Sequence, residues 1–425
     1  MAPTATPPSF SRIDDADALA LYHELSIHEL GQRAFARSLE LHSEPHRTYV
    51  VDRNINYANV CTARCTFCNF YARPGSDKAF ILSYEQIGRK IEELLAIGGT
   101  QILMQGGLVP KENHPSGHGL PFTWYLDLLR FIKREYPGIH IHAFSPPEIW
   151  AFHRIFKLPL RDVLLQLQEA GLDTIPGGGG EILVERVRRK IGRGKADTEA
   201  WLAVMRSAHQ IGMKTSCTMM FGHVETVAER IEHLRRLREL QDETGGFIAF
   251  IHWPFQPEGT PLGRWKPRPL NVAAAPSPGV DQDDPASGMD SEFTPRESRF
   301  SSADAPHYAR PDYLPDGRHL QLADASEYLR MLAIARLYLD NIPNIQSSWV
   351  TMGPKIGQLA LLFGANDMGS VMMEENVVSA AGTTFHLNEA EIRRLIREAG
   401  WAPQQRDQYY RPIDTRRGTK TATAR

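Results

Sequence analysis

The chain is poor in cysteine, with four in 425 residues. Three of these lie between positions 61 and 68, so they do not form the spaced, even-numbered framework of a disulfide-stapled protein. Long apolar runs are missing too, and nothing approaches the roughly 20 residues of a membrane-spanning helix. Neither charge sign dominates: 48 Lys and Arg against 50 Asp and Glu leave a formal net charge of −2. This excludes the basic footprint of a nucleic-acid binder. The N-terminal run Met1 to Ser11 is rich in Pro, Ala and Thr but has neither the basic start nor the apolar stretch of a secretory signal. What is present, 42% hydrophobic and 23% charged residues, is the composition of an ordinary globular protein with a large core.

The clustered cysteines Cys61, Cys65 and Cys68 stand in Asn59-Val60-Cys61-Thr62-Ala63-Arg64-Cys65-Thr66-Phe67-Cys68-Asn69-Phe70. Three thiolates this close can hold three irons of a [4Fe–4S] cube and leave the fourth open to a substrate or cofactor. A structural zinc site needs four closed ligands, usually as two matched pairs, and such pairs are missing here. Free thiols in a buried turn, or a zinc knuckle completed by His114 or His118, are the competing readings. Cys217, in the apolar run Thr215 to Met220, reads as a small core residue. A thiolate-held cluster needs a reducing compartment, so the expected location is the cytoplasm.

Past an amphipathic stretch from Asp15 to His42, short β-rich runs alternate eight times with longer helical patterns. The predicted strands are 48–56, 100–105, 139–145, 173–176, 213–221, 246–253, 344–350 and 367–372. The helices between and after them cover 84–97, 122–135, 162–170, 201–210, 227–243, 327–340, 354–363 and 389–398. Ser83 with Gln86 predicts a capping box, and Gly98 and Gly171 sit where helices should stop. Eight strand-then-helix units most simply close into a (β/α)₈ TIM-type barrel, with six units plus a C-terminal subdomain as the alternative. Either way the site belongs at the C-terminal ends of the strands. The expected division is an N-terminal helical extension (1–47), the barrel (48–406) and a polar tail (407–425). Residues 263–317, dense in Pro, Ser, Asp, Ala and Gly, are expected to be a disordered insertion within the barrel.

With an aromatic just before its last cysteine, the 61–68 pattern resembles the cluster loop of radical S-adenosylmethionine (SAM) enzymes. Four stretches extend the resemblance to the radical SAM cyclases of the futalosine route to menaquinone: Asp52 to Tyr57, His140 to Glu148, Thr218 to Thr226 and Met372 to Val377. Aminofutalosine synthase and one half of the deazaflavin-ring synthase are rivals within the same superfamily, and a zinc-holding interaction protein is a rival outside it. The resemblance implies a [4Fe–4S] cluster on Cys61, Cys65 and Cys68, with SAM on the open iron. It implies an external one-electron reductant and a small-molecule substrate, dehypoxanthine futalosine. A 5′-deoxyadenosyl radical would take hydrogen from the ribose carbon bearing the arm, and the ribose radical would add to the benzoate ring. Loss of an electron and a proton would then restore aromaticity.

The same resemblance places Phe67 and Phe70 beside the adenine and makes Gln105-Gly106-Gly107 the Gly-rich SAM motif, though Leu108 stands where an acid often follows. Glu181 would grip the ribose of SAM, Arg186 or Arg188 would pair with its carboxylate, and Ser145 is a further candidate contact. His223, Glu225, Glu374 and Glu375 are candidate proton acceptors, with helix capping as the bland reading. His140 and His142 share one strand face, and His142 can point inward. Trp253, Phe255, Trp349 and Thr351 would wall the substrate.

Overall fold

The computed structural model describes residues 11–265 and 320–414, except Glu375 and Val378. Most of the expected insertion and the end of the expected tail therefore lie outside the described residues.

Among the described residues ten strands form one sheet: β1 (His46–Val50), β2 (Asp52–Asn56), β3 (Gln101–Gln105), β4 (His140–Ala143), β5 (Thr174–Ile175), β6 (Lys214–Phe221), β7 (Phe247–Pro254), β8 (Asn344–Gln346), β9 (Asp367–Ser370) and β10 (Ala402–Gln405). Every pairing is parallel, in the order β10-β1-β9-β8-β7-β6-β5-β4-β3-β2. From β1 to β2 this order returns to the same stretch of chain. β1 and β2 are separated only by Val51, and β1 pairs with β9 while β2 pairs with β3. The expected strand 48–56 is thus one bent strand that closes an eight-membered barrel, with β10 added outside β1. Side chains fasten the seam: the Ser370 hydroxyl donates to Asp52, and Glu374 receives Arg53 Nε at 2.8 Å and Lys90 Nζ at 2.6 Å.

The helices are α1 (Asp15–Glu24), α2 (Ile27–Leu41), α3 (Tyr84–Ala96), α4 (Phe122–Glu135), α5 (Pro146–Phe156), α6 (Leu160–Ala170), α7 (Glu185–Ile191), α8 (Thr198–Gln210), α9 (Val227–Thr244), α10 (Ala325–Tyr338), α11 (Trp349–Met352), α12 (Pro354–Ala360) and α13 (Glu389–Glu398). Local chemistry sets their ends. Ser83 and Gln86 form the expected capping box, and Gly98 and Gly171 take positive φ just past α3 and at the end of α6. The amphipathic N-terminal stretch is two helices, because Ser26 caps a new start with Glu29. They pack on the barrel: Arg330 Nη1 donates to Tyr22 O at 2.7 Å, and Arg238 Nη1 to Ile13 O at 2.7 Å. α5, α7 and β10 have no counterpart among the predicted elements, and Trp349 and Thr351 lie in α11 rather than on a strand. Among the described residues no helix is long and apolar enough to cross a membrane.

Alternation along the strands decides what fills the barrel. Positions 52, 54 and 56 of β2 and 101, 103 and 105 of β3 face inward, and most of them are polar. A barrel interior that is polar yet shielded is a chamber rather than a packed plug.

Candidate active site

The loop after β2 is held by backbone bonds on both sides of the cysteines. Cys61 N–H donates to Ala72 O at 2.9 Å, Thr62 N–H to Leu108 O at 3.0 Å and Thr66 N–H to Ile191 O at 2.8 Å. Cys61, Cys65 and Cys68 are unpaired with one another and line one cavity of about 260 Å³ at the C-terminal ends of the strands. Leu108 N–H donates to Cys61 Sγ at 3.3 Å. Burial raises the Cys61 and Cys65 thiols, the latter to about 12, so a cation must displace their protons. His114 and His118 do not line this cavity; His114 bonds Ser116 and His118 accepts from Gly75. No group of three His, Cys, Asp or Glu among the described residues is arranged to hold a single metal ion. Three thiols spread along one wall, with open space beside them, suit a cube held at three corners. Cys217 is fully buried, with its Sγ against Ala249 O at 3.4 Å, and is a core residue.

The same cavity gathers Phe67, Phe70, Gln105, Gly106, Gly107, Ser145 and Glu181. The two glycines are dictated by close approach. A Cβ on Gly106 would lie 2.4 Å from the Tyr57 ring, and one on Gly107 would lie 2.1 Å from Val60 O. Glu148 fixes this edge, accepting from Gly106 N–H at 3.0 Å, Tyr57 Oη at 2.7 Å and Ser145 Oγ at 2.6 Å. Ser145 is thereby the N-cap of α5 as well as a wall of the cavity. Glu181, at a φ of 29°, receives Lys195 Nζ at 2.6 Å and has Arg188 at 3.6 Å. Lys195 lies 5.2 Å from the centre of the Phe67 ring and is the only cation on this wall among the described residues.

Below it, inside the barrel, is a second chamber of about 250 Å³. Gln105, Gly178, Trp253 and Val377 belong to both walls, so the two spaces adjoin. The inner one is lined by Trp349, Thr351 and Met372 and by the polar residues Asp52, Asn54, Gln101 and His142. Two of these are unsatisfied. Asn54 Oδ1 and Gln101 Oε1 have no hydrogen-bond partner although the residues are only 6% and 2% exposed. An orphaned buried acceptor costs about 1–3 kcal/mol, which a ligand's hydroxyl would relieve. Gln408 and Tyr410, from the stretch expected to be a polar tail, fold back to complete this chamber.

Among the described residues, four of the expected site residues are not brought to either cavity. Arg186 pairs with Glu229, Nε to Oε1 at 2.5 Å, and reaches Val224 O at 3.0 Å. His223 and Glu225 are fully buried behind β6, with Nδ1 at 2.9 Å from Oε2 and Arg230 Nε at 2.8 Å from Oε1. Burial alone would raise the Glu225 carboxyl, but His223 and Arg230 outweigh it and hold it low. Glu374 is spent on the barrel seam, and Glu375 lies outside the described residues. Lys195, Glu148, Asn54 and Gln101 were not among the expected site residues. The polar alternation of Asp52, Asn54 and Asn56 was a signal that could have found one of them. Lys195, 127 positions past Cys68, carried none.

A closed parallel barrel with three thiols lining a glycine-edged cavity at the C-terminal ends of its strands has the arrangement of a radical SAM protein. Residues 55–237 match the radical SAM superfamily model, and residues 318–418 match that of the CofH/MqnC C-terminal region. The chain is 41% identical to cyclic dehypoxanthine futalosine synthase of Halalkalibacterium halodurans, over 95% of this chain and 92% of that protein. It is 36% identical to aminodeoxyfutalosine synthase of Thermus thermophilus, over 95% and 92%. The fold matches the crystal structure of methylornithine synthase (PylB) with a TM-score of 0.62 at 16% identity, over 92% and 94% of the two chains. The chain belongs to the radical SAM family of the futalosine synthases, whose barrel carries the CofH/MqnC C-terminal region. This family uses a [4Fe–4S] cluster and SAM, and the three thiols and the cavity beside them fit both.

Proposed function

We propose that the protein is a cyclic dehypoxanthine futalosine synthase, closing the ribose of dehypoxanthine futalosine onto its benzoate ring. When bound, the cluster and SAM supply a 5′-deoxyadenosyl radical able to take hydrogen from an unactivated carbon. The chain's own part is confinement and placement. Cys61, Cys65 and Cys68 hold the cluster. Gly106 and Gly107 let the backbone approach the methionine end of SAM, and Glu148 keeps that edge rigid. Glu181, on the same wall, would take the ribose hydroxyls of SAM. Lys195, the cation on the cavity wall, takes the carboxylate-pairing role expected of Arg186.

The observation that carries the substrate reading is the adjoining inner chamber. Its orphaned oxygens on Asn54 and Gln101 call for hydroxyl donors, and its Trp253 and Trp349 walls suit an aromatic ring. A ribose–benzoate substrate has both kinds of group. An external one-electron reductant starts each turnover. Anaerobic, iron- and sulfide-reconstituted protein with dithionite, SAM and dehypoxanthine futalosine should give methionine, 5′-deoxyadenosine and the cyclised product in equal amounts by mass spectrometry. Turnover only with the enol-ether substrate of aminofutalosine synthase would overturn this reading.

A further inference from the structure

Re-forming the aromatic ring needs a proton acceptor, and the expected ones are sealed behind β6, tied into the seam or outside the described residues. We propose that His142 is the base that takes the ring proton, and that Thr174 and His140 carry it on to the N-terminal end of the barrel. The inference rests on the substrate proposed above.

The position follows from strand register. Asn54, Leu103 and His142 are paired across β2, β3 and β4 and form one inward layer; Asn56 and Gln105 lie one layer nearer the cysteines. Two residues of strand make each layer about 6.6 Å deep. With SAM in the outer cavity and the substrate in the inner chamber, the carbon that loses hydrogen would stand where the two meet, beside Gln105 and Gly178. The ring carbon that bonds to it, and carries the proton to be lost, is one bond of about 1.5 Å away. The imidazole of His142 is the nearest layer below.

Among the described residues, the other titratable side chains on the inner wall are already committed. Both carboxylate oxygens of Asp52 are engaged, by Ser370 and by Gln101 Nε2 at 3.2 Å. Arg406 is a cation held by Asp367, at 2.5 and 3.0 Å. Burial pushes the Tyr410 phenol up and keeps it protonated. On the outer wall Glu148 is saturated with donors and Glu181 is paired with Lys195. His142 differs: Nδ1 is 2.7 Å from Thr174 Oγ1, whereas Nε2 has only Ser216 Oγ at 3.4 Å, too long for a good bond.

The Thr174 hydroxyl is also 2.7 Å from His140 Nε2. A hydroxyl has one proton to give, so one assignment runs His142 Nδ1–H to Thr174 Oγ1, and Thr174 O–H to His140 Nε2. In it His142 Nε2 is an open base. When Nε2 takes a proton, the Nδ1 proton passes to Thr174 and the threonine proton to His140, which lies at the start of β4 and is partly exposed. Burial lowers both imidazoles, so both begin neutral. In the reaction the ring C–H bond breaks and its proton goes to His142. One of its electrons pairs with the radical electron in the restored ring, and the other leaves to a one-electron acceptor of the iron–sulfur class.

The test compares wild type with His142→Asn and Thr174→Val, all reconstituted, under the assay above with freeze-quench electron paramagnetic resonance (EPR). For His142→Asn we expect 5′-deoxyadenosine still to form in the first turnover. Cyclised product should fall at least tenfold below it, a ring-radical signal should build up, and added imidazole should restore product in part. For Thr174→Val we expect a normal first turnover and later turnovers slowed threefold or more. Product and 5′-deoxyadenosine staying equal in His142→Asn, whether both are unchanged or both reduced, overturns the proposal, as does unchanged steady-state turnover of Thr174→Val. Wild-type protein that makes 5′-deoxyadenosine but no cyclised product overturns the substrate reading, and this proposal with it.

Discussion

The loops that leave β2 and β6 at the same end of the barrel both carry groups suited to chemistry, yet they come to opposite uses. After β2, three thiols form no disulfide and no ion pair, and face open space beside a glycine edge. After β6, His223 and Glu225 find each other and Arg230; Arg230 continues to Glu327, which accepts from Tyr22 of α1. The second set is fully satisfied within the fold and ties β6, α9, α10 and the N-terminal helices together. Pairing, more than residue type or position after a strand, separates the group that reacts from the group that braces.

Substitutions on the two sides should separate activity from stability. Cys65→Ala should reduce product below detection, with iron content lost and the denaturation midpoint nearly unchanged. Glu225→Gln should do the reverse: removing one partner of a buried ion network costs about 3–5 kcal/mol, read by urea denaturation, while product and 5′-deoxyadenosine stay equal.

Acid sharpens the contrast through His233 and His252, which sit around β6 and β7. Burial lowers them to about 3 and about 4. Their folded pKa lies below the unfolded value of about 6.5, so their stabilisation is whole above that pH and drains as pH falls toward the folded value. Each group should lose about 2 kcal/mol between pH 6.5 and 5, seen as a falling denaturation midpoint.

On the cysteine side, Lys195→Met should raise the KM for SAM by about 10- to 100-fold, the worth of one charge-assisted bond. The smallest effect belongs to Arg186→Ala. Its ion pair with Glu229 is partly exposed, so stability should change by less than about 1 kcal/mol and the KM for SAM not at all.

What could be read from the chain in advance follows the range of the interaction. Cys61, Cys65 and Cys68 act within eight positions, and Ser83–Gln86 within four, so both were legible. The alternation of strands and helices announced the barrel. The kink at Val51 was not legible, because it arises from β9 and β3 claiming different halves of one strand. Lys195 reaches the cavity only through the fold. His223 and Glu225 looked reactive because Glu327, which completes their network, stands about a hundred positions away. Asn54 stands in a polar alternation legible in the sequence, but the oxygen left without a partner emerges only once the barrel closes around it.

The proposed chemistry depends on the three-thiol wall leaving one iron of the cluster for SAM. Electron–nuclear double resonance on the reduced, reconstituted protein, with SAM labelled at its amino nitrogen and carboxylate oxygen, tests this most directly. Coupling of both labelled atoms to the cluster is the predicted result. A cluster that ignores the label because protein atoms hold all four irons would contradict it.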